Sequence, residues 1–155
     1  MEYQYIDKSL YFHHSVDMKP SQENFRMHAH EMYEILFFLS GNGRFMVEGC
    51  EYILEPGSMM VMRPSEAHKL KIQHDSPYER VAIHFSSDIV TSIDPNGKLL
   101  QPFEDRPIGR HNMYQRASFR SSFIHECLNS METNIQGDYY RRLAITTNLY
   151  PILTE

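Results

Sequence analysis

His28-Ala29-His30-Glu31-Met32-Tyr33-Glu34-Ile35-Leu36-Phe37-Phe38-Leu39-Ser40-Gly41-Asn42-Gly43-Arg44-Phe45-Met46-Val47 decides how the chain is read. Aromatic, aliphatic and Met side chains from Met32 to Ser40 make a strand, Gly41-Asn42-Gly43 turns it, and Arg44 to Val47 start another. The same alternation of short strand and turn extends both ways. Leu10-Tyr11-Phe12, Tyr52-Ile53-Leu54, Ser58 to Met62, Lys69 to Gln73 and Tyr78 to Phe85 read as strands, separated by Glu48-Gly49, Pro56-Gly57, Arg63-Pro64 and Ser76-Pro77. Strands this closely spaced leave no room for crossover helices, so the expected architecture is an antiparallel sandwich or barrel. Ile35 to Leu39 and Met59 to Met62 are apolar at consecutive positions, so each needs cover on both faces: the barrel interior on one, a helix or partner subunit on the other.

Residues 1–90 are therefore assigned to the barrel. Residues 91–111, with Asp94-Pro95-Asn96-Gly97, Pro102, Pro107 and Gly109, form a turn-rich connection with room for further short strands. In residues 112–155 the period changes. Ile124, Leu128, Met131 and Ile135 make a helical stripe that Phe119, Phe123 and Cys127 widen. Gly137 ends that helix, Asp138 can cap the next, and Tyr139, Leu143 and Tyr150 continue a weaker face that Pro151 kinks or ends. The expected fold is mainly β, an antiparallel barrel followed by a helical hairpin.

Composition limits the function. The 155 residues suffice for one domain with a core. Fifteen Lys and Arg against twenty Asp and Glu give a net charge of −5, unsuited to gripping a polyphosphate backbone. Arg116, Arg120, Arg141 and Arg142 are accordingly read as a solvated helix face rather than a DNA contact. No apolar run approaches the roughly 20 residues that span a bilayer, and the N-terminus lacks the pattern of a secretory signal, so a cytoplasmic protein is expected. Cys50 and Cys127 have neither disulfide-framework nor metal-finger spacing. Ser40 and Ser58 sit in no nucleophile elbow, and Gly41-Asn42-Gly43 is too short for a phosphate cradle. No catalytic residue is assigned.

The chemistry concentrates in the opening stretch. On one uninterrupted strand His28, His30 and Glu34 share a face, with the histidines about 7 Å apart. His68 can supply a third imidazole from a neighbouring strand. Three imidazoles and a carboxylate make a mixed site suited to Zn, Mn, Fe, Ni or Cu; the alternative is a pocket lined by polar groups without a metal. Arg80, Ala82 and His84 alternate with Val81, Ile83 and Phe85. If the first set lines the barrel, His84 joins the pocket and Arg80 can pair with a carboxylate-bearing ligand; otherwise that face is the solvated one. His13, His14, His74, His111 and His125 show no ligand spacing. The Met and Tyr residues, ten of each, are assigned mostly to core filling.

His28-x-His30-x3-Glu34-x6-Gly41 resembles the first cupin motif, and Gly57-x6-Pro64-x3-His68 resembles the second. The second departs from the enzyme form, with Glu66 where glycine is usual, one residue fewer from proline to histidine, and Ile72 where the motif ends in Asn. The phrase His-x-His-x-x-x-Glu-Ile-Leu, with Leu39-Ser40-Gly41, Leu54-Glu55-Pro56-Gly57, Arg63-Pro64 and His68 in order, is more similar to the sensor domains of AraC-type transcriptional regulators. Tyr78-Glu79-Arg80-Val81 and His84-Phe85 resemble the strand that closes such barrels. The resemblance implies a double-stranded antiparallel jelly-roll barrel. It implies a small-molecule effector bound near His28, His30, Glu34, His68, Arg80 and His84, and a homodimer formed through the C-terminal helices. It also implies DNA contact only through a helix-turn-helix domain that this stretch does not contain, so the chain is expected to be the sensor half of a longer regulator. The competing expectation is a small metal-dependent cupin enzyme, a dioxygenase, decarboxylase or isomerase. The intact first motif favours it, and the degraded second motif and the helical hairpin oppose it.

Overall fold

A computed structural model describes residues 2–72, 76–132 and 137–155. Among the described residues nine strands form two antiparallel sheets. The strands are β1 (Glu2–Ile6), β2 (Leu10–Asp17), β3 (Tyr33–Ser40), β4 (Gly43–Val47), β5 (Cys50–Ile53), β6 (Met59–Met62), β7 (His68–Ile72), β8 (Tyr78–Phe85) and β9 (Met113–Tyr114). The larger sheet runs β1-β2-β8-β3-β6-β9 and the smaller β5-β4-β7. The two sheets face each other over a core of Leu36, Phe38, Met60, Met62 and Tyr78 against Phe45, Val47 and Leu70.

The strands that are apolar on both faces are covered on both, as their composition requires. Ile35, Phe37, Val61, Val81, Ile83 and Phe85 point away from the barrel into a second core with Ile124, Leu128, Ile145 and Leu149 of the C-terminal helices. Side chains one residue apart on β3, β6 and β8 therefore belong to different cores, because successive side chains of a strand face opposite ways. The helices are α3 (Ser121–Met131) and α4 (Asp138–Leu153). Two short helices, α1 (Ser87–Thr91) and α2 (Gln101–Glu104), lie between β8 and β9.

Several local readings change. β3 begins at Tyr33, and His28 is joined to β7 only by an isolated bridge to His68, so residues 28–34 are not one strand. The sequence pattern does not announce β1, in which Tyr3 and Tyr5 alternate with Glu2, Gln4 and the exposed Ile6; Asp7 makes its turn by accepting from the Ser9 and Leu10 amides. β9 extends the large sheet at residues 113–114, so the helical part starts at Ser121 rather than near Met113. α4 buries Ile145, Leu149 and Ile152 and leaves Tyr139 and Leu143 exposed. Two stripes of this helix are comparably apolar, and the sheet selects the one that completes its outer core. The helix continues past Pro151 to Leu153. Arg141 and Arg142 hold α4 to β1 rather than facing solvent: Arg142 pairs with Asp7, and Arg141 donates to the Gln4 carbonyl with its guanidinium over the Tyr3 and Tyr5 rings. Gln73, His74 and Ile135, which the sequence reading used, lie outside the described residues.

Gly41 carries the chain from the large sheet to the small one. Its φ is +121°, and a Cβ there would lie 2.7 Å from the Pro77 carbonyl oxygen, a backbone atom that cannot swing aside. Gly41→Ala is expected to lose about 1–3 kcal/mol in urea unfolding. Gly49→Ala is the control, since φ is +82° but nothing lies within 4 Å of the added carbon. Equal losses at the two sites would show that backbone conformation, not the Pro77 contact, decides.

Candidate functional site

Between the sheets lies a cavity of about 240 Å³. β2, β3 and β8 supply its walls by alternation: Tyr11 and His13, Glu34 and Leu36, Tyr78, Arg80, Ala82 and His84 face in. The face carrying Arg80 and His84, left open by the sequence, is thus the inner one. His28 and His68 also line it.

Three imidazoles converge on Glu34, which is 3% exposed. Its Oε2 lies 2.8 Å from His30 Nε2, 3.1 Å from His68 Nε2 and 3.4 Å from His84 Nε2. The register makes this convergence. Glu34 of β3 stands opposite His84 of β8, while the backbone bridge between His28 and His68 draws the start of β7 to the segment that carries His30. The His30 and His84 rings stack at 4.4 Å.

His30 Nδ1 donates to the Met32 carbonyl at 2.9 Å, His68 Nδ1 to the Glu66 carbonyl at 2.8 Å and His28 Nδ1 to the Arg26 carbonyl at 2.9 Å. A carbonyl oxygen only accepts, so each Nδ1 carries its proton and each neutral ring presents a bare Nε2. A neutral His30 or His68 would aim that lone pair at a carboxylate oxygen, whereas a ring protonated at Nε2 as well donates to it. Burial pushes the Glu34 carboxyl up, but the three imidazoles overrule it and hold it well below the usual carboxylate range. For His68, burial lowers the imidazole pKa, and the Glu34 carboxylate outweighs burial and raises it. His68 Nε2 nevertheless lacks a hydrogen-bond partner among the described residues. Lone pairs crowded about a buried carboxylate require a positive charge among them, either added protons or a metal ion.

The donor set fits a divalent metal. Ligands about 2.0–2.2 Å from one ion stand about 3 Å from each other, and these atoms are 2.8–3.4 Å from Glu34 Oε2. The ligand atoms of His30, Glu34 and His84 lie within 4.8 Å of one another, and His68, 3.1 Å from Glu34 Oε2, stands outside that group. Carbonyl-tied Nδ1 atoms are the usual outer support of metal-bound imidazoles. Of the residues singled out as ligands, His30, Glu34 and His68 come together. His28 sits exposed at the rim, its ring 4.4 Å from that of His68, and His84 takes the place beside Glu34. The parity of His84 was visible in the sequence; the pairing of β8 with β3, which sets it against Glu34, was not.

Glu66, seen in the sequence only as a departure from a motif, is buried and accepts both arms of the Arg106 guanidinium at 2.7 and 2.6 Å. It also accepts from the Gly109 and Arg63 amides and the Asn112 side chain. It thus fastens the segment leading to β9 and α3 beneath His68.

A family model described as AraC-like ligand binding domain matches residues 17–134. No curated protein matches the chain significantly. The chain is similar at low identity to parts of several solved structures. DMSP lyase DddQ from Ruegeria pomeroyi DSS-3 is 22% identical, over 52% of this chain and 40% of that one, at a TM-score of 0.44. A cupin protein from Bacteroides fragilis is 19% identical over 52% and 68%, at 0.44. A Cupin 2 conserved barrel domain protein from Salinispora arenicola CNS-205 is 15% identical over 62% and 79%, at 0.45. The chain spans only 40% of the lyase and 40% of AerE from Microcystis aeruginosa. No helix among the described residues is long and apolar enough to cross a membrane.

Proposed function

Because the chain belongs to the AraC-like ligand-binding domain family, we propose that it is the sensing and dimerisation unit of a transcriptional regulator, in which a small effector in the barrel controls DNA-binding modules attached beyond the helices. One observation carries this reading. β3 and β8 each line the cavity with one face and support α3 and α4 with the other. A ligand that binds two arrangements of these strands unequally shifts the helices with them. The exposed Tyr139, Tyr140 and Leu143 of α4 offer an apolar face to a second copy.

Bound at His30, Glu34, His68 and His84, a divalent metal would supply a Lewis-acidic contact for an effector oxygen. The protein's own residues do the rest: the carbonyl-tied histidines fix the donor directions and Glu34 supplies negative charge.

The test is amide hydrogen exchange with and without Zn(II) as probe, alongside sedimentation velocity. Exchange in α3 and α4 is expected to slow on loading, and the chain to sediment as a dimer. A change confined to the cavity strands would remove the relay, and a monomer at high concentration would remove dimerisation. The donor cluster favours a second reading, a metal-dependent cupin enzyme. That reading requires a molecule incubated with the loaded protein to be recovered chemically changed by mass spectrometry, whereas a sensor returns it intact.

A further inference from the structure

We infer that the cavity takes a small monocarboxylate with an apolar body, its carboxylate held by Arg80 and the Tyr78 hydroxyl. This names the effector class and rests on the sensing role proposed above.

Arg80 enters the cavity from β8. Its guanidinium lies 5.1 Å from the Phe25 ring centroid and 5.2 Å from that of Tyr78. Two aromatic faces hold the planar group by cation–π attraction. Among the described residues it has neither a carboxylate within ion-pairing distance nor a hydrogen-bond acceptor, in contrast to Arg44, Arg106 and Arg142, which all have carboxylate partners. A half-buried guanidinium with free donors presents the fork that matches a carboxylate in two parallel hydrogen bonds.

Tyr78 supplies a second, independent sign. It is 1% exposed, lines the same cavity, and its hydroxyl has no partner among the described residues. Leaving a buried hydroxyl unpaired is costly, and an anion seated on Arg80 would accept from it. Between these donors and the histidine cluster the wall is apolar, with Leu36, Phe45, Leu70 and Ala82. That surface suits a hydrocarbon or aromatic body. The charge count favours one negative group: Arg80 faces the cavity as a single guanidinium, and a second carboxylate toward the far end would meet Glu34.

The probes are benzoate, phenylacetate and hexanoate, each paired with its primary amide, titrated by calorimetry into the protein as purified and after EDTA treatment. At least one acid is expected to bind about tenfold or more tightly than its amide, the effect of a charged hydrogen-bonding partner. Arg80→Gln should abolish that preference. Tyr78→Phe, which keeps the ring and the packing, should weaken the acid more than the amide, because the hydroxyl donates to a charged acceptor in the acid. Amides binding as well as acids, no acid binding, or inorganic phosphate binding as tightly as the best acid would each overturn the inference. So would binding that disappears with EDTA and survives Arg80→Gln, because the carboxylate would then sit on the metal. If Arg80→Gln does not fold, Tyr78→Phe and the acid–amide comparison on the parent protein decide. Acid binding with no change at α3 and α4 would sink the relay to the helices while leaving the carboxylate site standing.

Discussion

Arg106→Ala is expected to destabilise the domain by about 3–5 kcal/mol, the cost of removing one partner of a buried ion pair. Arg106 is 8% exposed and Glu66 3%, and the pair is bidentate at 2.7 and 2.6 Å. Without the guanidinium, Glu66 retains the Gly109, Arg63 and Asn112 donors, but a buried negative charge loses its counterion. Burial pushes the Glu66 carboxyl up; Arg106 and the backbone amides outweigh it and hold it at about 2, against an ordinary value of 4.5. A folded-state value below the unfolded one gives stability that is fully present above about pH 4.5 and is lost as pH falls toward 2. In the Arg106→Ala protein the carboxyl protonates at higher pH, so the acid side of the stability curve should move up. Urea unfolding of both proteins between about pH 2 and 7, the range over which this linkage acts, measures both effects. Loss of under about 1 kcal/mol, the size of a surface pair, would mean that packing and the remaining Gly109 and Asn112 hydrogen bonds hold the segment from Arg106 to Asn112.

The other large effect is expected at the histidine cluster. Elemental analysis of protein purified without a metal-affinity step should find a divalent metal near one per chain, lost in the His30→Ala, Glu34→Ala double variant. At free metal a hundredfold above the dissociation constant, the parent should gain about 2.7 kcal/mol of stability, and the variant none. His84→Ala and His28→Ala distinguish the ligands. His84 Nε2 lies 3.4 Å from Glu34 Oε2, whereas His28 stands exposed at the rim, so His84→Ala should weaken metal binding more. Metal-free parent protein with an unchanged melting temperature in added metal would leave the cluster as a protonated hydrogen-bond network lining the pocket.

Much of the architecture was present in the order of residues. Turn glycines and prolines between short apolar runs specified an antiparallel barrel, and strands apolar on both faces required a cover that α3 and α4 provide. These are local properties: period, turn chemistry and face polarity are written within about ten residues. His30, Glu34 and His68 were legible as a donor set for the same reason, through spacing and residue type.

What needed the tertiary structure was every decision about who stands opposite whom. The pairing of β8 with β3 sets His84 beside Glu34, and the inward turn of Arg80 follows from the same register. Glu66 became an anchor only when the chain brought Arg106 back, 40 residues later. α4 carried two comparable apolar stripes, and only the outer face of the large sheet chose between them. Spacing along a strand fixes which side chains share a face; strand pairing and docking, which bring together residues far apart in sequence, determine what that face meets.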